Sequence, residues 1–192
     1  MKTNSQIRQE TKALMKGNWG VSILVCLVIS LTNNLGAAAL FVASPLMLGA
    51  IIMNLRLVRE NRKLAFKDIG AGFKSNFYWK SVLVYLLTYL YTYLWSLLFI
   101  IPGIIKSLSY ALAPYILADN PEMTANEAID LSMKMMNGHK GQLFRMMLGF
   151  IALVMLSVIL SYIPLIWLVP FYQLTMAKFY EEVKAEYYAT AC

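Results

Sequence analysis

Apolar residues run with almost no charge through three long stretches of this chain, 17–55, 81–118 and 146–177, the second broken only by Lys106. A single helix over the first stretch, at about 1.5 Å per residue, would be nearly twice as long as the roughly 30 Å hydrocarbon core of a bilayer. Each stretch therefore reads as a hairpin of two spans. A proline stands inside each, Pro45, Pro102 and Pro164, with Pro170 as a second one in the third. The pattern predicts helices near 19–40, 44–59, 78–99, 103–118, 141–160 and 164–183. The third stretch leaves open one long helix kinked at Pro164 and Pro170. The fold class expected is all-α, a polytopic transmembrane bundle of about six spans, arranged as three co-oriented hairpins.

Short polar-and-apolar segments precede each stretch. Ile7, Thr11, Leu14 and Met15 form one helical face, Phe66, Ile69 and Phe73 a second, and Ala128, Leu131 and Met135 a third. These are expected to be cytoplasmic amphipathic helices. Thr124 with Glu127 is a capping box for the third, which Asn137-Gly138 ends. The junctions are alike: Lys16-Gly17-Asn18-Trp19, Lys74-Ser75-Asn76-Phe77 and Asn137-Gly138-His139-Lys140. Spacing from junction to proline is nearly constant, and a fixed count beyond each proline reaches Arg62, Asp119 and Glu181. The chain is read as one integral membrane domain, 1–192, with repeats over 1–62, 63–119 and 120–192.

Composition agrees with lipid as the solvent. Charged residues make up 14% of the chain and hydrophobic ones 59%, against about 25% charged in a soluble domain. The net charge of +7 does not point to nucleic acid, because 16 of the 17 Lys and Arg lie outside the apolar stretches. With hairpins, all of those fall on one side, which the positive-inside rule makes the cytoplasm. The expected location is the plasma membrane, multi-pass, with both termini cytoplasmic and membrane lipids as partners. A membrane-protein partner or a homo-oligomer is also compatible. The basic N-terminus followed by an apolar run and Ala37-Ala38-Ala39 resembles a secretory leader. The long basic segment, Trp19 at the entry, and two later entries of the same kind favour a span instead.

Candidate chemistry is sparse. Ser81, Tyr85, Thr88, Tyr89, Thr92 and Ser96 share one helical face, and Lys106, Ser109 and Tyr110 share another. Hydroxyls facing lipid would lack partners, so this seam is expected to face the bundle. It reads either as inter-helix glue or as a solute, ion or headgroup path with Lys106 as anion contact. Trp19, Asp119, His139 and Lys140 are expected at the interface. His139 reads as a turn residue matching Asn18 and Asn76 rather than a proton donor. Met133, Met135, Met136, Met146 and Met147 read as core filling rather than a soft-metal site, since no Cys or His accompanies them at ligand spacing. Cys26 and Cys192 have no evident partner. No catalytic constellation, metal site or cofactor motif is found, so no enzyme is expected.

The stretch from Leu94 through Ile101-Pro102-Gly103 to Lys106, then Tyr110, resembles a known family. The likeness continues through Ala118-Asp119-Asn120-Pro121, Glu127-Ala128-Ile129, Ser132, Met136, Gly138-His139-Lys140 and Phe144. It ends with Trp167, Pro170-Phe171-Tyr172 and Phe179-Tyr180. This is similar to the bacterial integral-membrane proteins known as domain of unknown function 975. Gly149-Phe150-Ile151 departs from the family's serine-phenylalanine pair, and Phe171 stands where tyrosine is commoner. The resemblance implies a multi-pass plasma-membrane protein and supplies no activity, cofactor or catalytic residue. A looser similarity to membrane domains attached to some glycerophosphodiesterases implies a lipid-related or scaffolding role, by analogy. Two readings follow: a non-enzymatic membrane-embedded binding or accessory module, or a small transporter or channel subunit using the seam and Lys106.

Overall fold

The computed structural model describes residues 2–32, 39–60, 63–64, 66–98, 100–159 and 164–191, and within these the chain is all-helical. The helices are α1 (Asn4–Met15), α2 (Trp19–Thr32), α3 (Ala39–Glu60), α4 (Ser75–Leu98), α5 (Ile100–Tyr110), α6 (Ala113–Asp119), α7 (Ala125–Met135), α8 (Lys140–Ile159) and α9 (Leu165–Ala191), with a 3₁₀ helix over Phe66–Phe73. Ala37, Ala38, Arg62, Cys192 and the expected turn at 160–163 lie outside the described residues.

Local chemistry sets the boundaries. α1 opens on a capping box in which the Thr3 N–H donates to Gln6 Oε1 at 2.9 Å and the Gln6 N–H donates to Thr3 Oγ1 at 3.4 Å. α7 repeats the device, the Thr124 N–H donating to Glu127 Oε2 at 2.7 Å. Each of these helices buries one stripe: Ile7, Thr11 and Met15 in α1, Ala125, Ala128, Ile129, Ser132 and Met135 in α7. Each is followed by a left-handed glycine, Gly17 at φ +84° and Gly138 at φ +86°, which turns the chain into the next apolar helix. The offset between the two glycines equals that between Thr3 and Thr124.

Three expectations are corrected. Pro45 is not a turn but lies inside α3, which starts at Ala39; the Ser44 hydroxyl donates to Leu40 O at 2.5 Å beside it. The segment Phe66–Phe73 is a 3₁₀ helix folded back along α3, not a free amphipathic α-helix. Gly49 and Gly72 cause this: a methyl on either would overlap the backbone of Ile69 or Pro45, so only glycine allows the approach. Arg56 Nη1 closes the same contact on Asp68 Oδ1 at 3.0 Å. Third, the expected helix over 103–118 stands as one span-length run, Ile101–Asp119, but a turn at Ala111-Leu112 divides it into α5 and α6, where Pro114 in the first turn of α6 cannot continue the ladder of α5. In the third stretch α8 and α9 are separate helices, and Phe150 packs on Phe171 and Tyr172 with ring centroids 5.8 and 5.0 Å apart.

Leu40–Glu60, Ile101–Asp119 and Lys140–Val158 are long and apolar enough to cross a membrane. α1 and α2, bent by 101° at their turn, would pass together as a fourth. Each short N-terminal segment packs on the last helix of another apolar stretch: α1 on α9, the 3₁₀ helix on α3, and α7 on α6. The helices α3, α6 and α9 thereby gather at the centre, with Tyr115 of α6 against Tyr180 of α9 at 5.6 Å.

Candidate functional site

Helices α3, α4, α6 and α9 border a half-open chamber of about 260 Å³. Met47, Ala50, Ile51 and Asn54 come from α3, at the three- and four-residue spacing that puts them on one face. Tyr85 enters from α4, Ala111 from the break between α5 and α6, Pro114 and Tyr115 from α6, and Tyr172, Gln173 and Met176 from α9. Among the described residues its polar groups are two carboxamides and three phenols, and no carboxylate, histidine or cation lines it. A surface of this kind donates and accepts hydrogen bonds without titrating near neutral pH. The helix break matters here because irregular backbone within an apolar bundle is tolerated where it borders a cavity. A second cavity of about 420 Å³, lined by Ile23, Cys26 and Ser30 of α2 and by Leu165, Ile166 and Val169 of α9, shares Met47 and Gln173 with the first.

About one turn beyond the chamber, the charged ends of α3 and α6 meet the charged middle of α9. Arg59 Nη2 donates to Asp119 Oδ2 at 2.6 Å, and its Nε donates to Glu181 Oε1 at 2.8 Å. Lys184 Nζ at 2.6 Å and the Tyr180 hydroxyl at 2.8 Å also donate to Asp119 Oδ2. The Asp119 side chain is only 6% exposed, while Arg59 and Lys184 retain 38% and 31%. One buried carboxylate thus ties the ends of α3 and α6 to α9, and its cations keep access to water. Asp119 and Glu181, picked out from the sequence by their count from a proline, do converge. Their partner is Arg59.

The expected seam on α4 divides. Tyr85 lines the chamber and Ser81 is buried, but Tyr89 is 70% exposed and Ser96 is also exposed. Thr92 is half-buried, and Thr88 Oγ1 is buried with no hydrogen-bond partner among the described residues. An exposed hydroxyl on this face need not lack a partner, because it can bond back to its own helix as Ser96 does, and the buried Ser81 and Ser109 do the same. Ser81 donates to Tyr78 O at 2.7 Å, Ser96 to Thr92 O at 2.8 Å and Ser109 to Ile105 O at 2.8 Å. Ser96 also faces Gly103, where α5 comes close to α4. Lys106 lies over the Trp95 ring, 4.7 Å from its centroid, and does not line the chamber. Tyr110 is buried against Tyr91 at 6.1 Å, and the Ser109 carbonyl accepts from Ser132 Oγ of α7 at 2.7 Å.

Of the interfacial residues, Trp19 opens α2 and Lys140 opens α8. His139 Nε2 is 3.7 Å from Glu186 Oε1 of α9. Met135, Met136 and Met146 are buried in the core, with Met133 and Met147 packed against it. Sequence reasoning did not single out Asn54 and Gln173. A signal existed: Asn54, Ala111 and Gln173 stand at the same distance beyond Pro45, Pro102 and Pro164, and all three line the chamber.

A family model described as "Protein of unknown function (DUF975)" matches residues 1–113 and 100–187, nearly the whole chain. The chain belongs to this family. No curated protein and no solved structure matches it. The apolar helices suggest membrane association, and the family description carries no activity.

Proposed function

We propose that this family member is a non-enzymatic, multi-pass plasma-membrane module whose binding site is the chamber between α3, α4, α6 and α9. Six spans in three co-oriented hairpins, with both termini cytoplasmic, are the arrangement that keeps 16 of 17 cations on one side. The observation that carries the binding role is the opening of the α5–α6 break onto Asn54, Gln173 and three tyrosines. Close packing would have served a purely structural core better, since unfilled space beside buried amides lowers stability. The walls suit an uncharged ligand that exchanges hydrogen bonds.

Native mass spectrometry of protein extracted in mild detergent tests this. Wild type is expected to carry a small molecule that Ala111→Phe, which fills the chamber, does not. Equal occupancy in both refutes the site. A transport or channel role is the second reading, favoured by the larger cavity that meets the chamber at Met47 and Gln173. On that reading Lys106 acts only at the rim, where it lies over Trp95.

A further inference from the structure

The long groove between α8 and α9 opens to the surface and has one charged end. Leu153, Leu156 and Ser157 form one wall and Pro164, Trp167 and Phe171 the other, enclosing about 310 Å³. From Phe171 to Pro164 the wall extends about 10 Å along α9 at helical rise. Lys12 of α1 and Trp19 of α2 also line it. Lys12 is exposed and has no carboxylate partner among the described residues. The nearest acid in sequence, Glu10, is held by Lys178 at 2.5 Å and Lys2 at 2.9 Å. Among the described residues the groove is therefore almost wholly apolar with a single cation, and Lys16 follows Lys12 one helical turn on.

We propose that this groove holds one acyl chain of an anionic phospholipid, with its phosphate on the Lys12 ammonium. The inference uses the membrane location proposed above but not the chamber. An ammonium left unpaired beside an apolar channel on a lipid-facing surface matches the two halves of such a lipid: phosphate for the cation, hydrocarbon for the leucines and tryptophans. Trp19, at the start of α2, lines the same groove as the cation, and an interfacial indole N–H is suited to ester oxygens. A neutral lipid would fill the channel without compensating Lys12.

The two groove tryptophans report occupancy directly. In a Trp79→Phe, Trp95→Phe background reconstituted in phosphatidylcholine, fluorescence quenching by brominated phosphatidylglycerol is compared with quenching by brominated phosphatidylcholine at the same mole fraction. About fivefold stronger apparent binding of the anionic lipid is expected, the ratio for one lysine contact. Lys12→Ala should abolish the preference, Lys12→Arg should keep it, and added inorganic phosphate should leave it unchanged. Equal quenching by the two lipids, or a preference that survives Lys12→Ala, overturns the proposal. So does the absence of quenching by either, which would mean another chain or detergent covers the groove. Loss of preference on adding phosphate also counts against it, since the site would then select a free anion. None of these outcomes alters chamber occupancy, so failure here is distinguishable from failure of the binding role.

Discussion

Replacing Asp119 by asparagine keeps the size of the side chain and removes its charge. In the folded protein this carboxylate is 6% exposed and accepts from Arg59, Lys184 and the Tyr180 hydroxyl. Removing one member of a buried ion pair costs about 3–5 kcal/mol when the remaining charge is stranded. Here the cations are not stranded: Arg59 is 38% exposed and keeps Glu181, and Lys184 is 31% exposed. Screening by water brings the expected loss to about 2 kcal/mol. For a chain of this length that corresponds to a fall of about 4–8 °C in unfolding midpoint. The assay is thermal unfolding in detergent at one fixed scan rate, since membrane-protein unfolding is commonly irreversible. Glu181→Gln is the internal control. That pair is solvent-facing, and its loss should cost no more than about 1 kcal/mol. If Asp119→Asn is neutral, or if the two variants fall equally, Asp119 is not the tie between α3, α6 and α9.

Three further outcomes follow from the packing. Gly49→Ala places a methyl against the backbone of Ile69 and should lower stability by about 1–3 kcal/mol, whereas Gly20→Ala, with open space around it, should be neutral or mildly stabilising; thermal scans compare them. Gly138→Ala must hold an L-residue at φ +86° and should cost about 1–2 kcal/mol, as should Gly17→Ala at φ +84°, whereas Gly141→Ala in α8 should not. Hydrogen bonds from Lys178 first, then Lys2, hold the Glu10 carboxyl below its ordinary value of 4.5. A depressed carboxyl pKa means that this stabilisation is present above 4.5 and is lost as pH falls through the folded value. Glu10→Gln should therefore flatten the acid limb of stability against pH, and an unchanged limb would show that the α1–α9 contact does not form.

Much of the architecture was legible because its signals are local. Long uncharged runs, the Thr124–Glu127 capping box and the small residues at Gly17 and Gly138 each act within a few positions, and the structure has helices and turns at those places. The misreadings concern contacts between distant segments. Pro45 looked like a turn, yet it lies in the second turn of α3, where it forfeits only the bond to the Phe41 carbonyl and the helix continues past it. The fold-back of Phe66–Phe73 depends on Gly49 and Gly72 meeting, which neither glycine announces alone. Pro114 was a readable sign of the α5–α6 break. The chamber was the least legible feature. It exists only where one face of each of four helices meets, and of the nine residues in the expected seam only Tyr85 lines it.

The account rests most on the topology of three hairpins with their charged segments on one side. Single cysteines placed in a Cys26→Ser, Cys192→Ser background test it in intact cells with a membrane-impermeant maleimide. Ala39→Cys, Ile101→Cys and Pro164→Cys should react from outside, whereas Lys16→Cys, Ser75→Cys and Asn137→Cys should react only after the membrane is opened. Protection of any of the first three from outside, together with labelling of any of the second three in sealed cells, would contradict the arrangement.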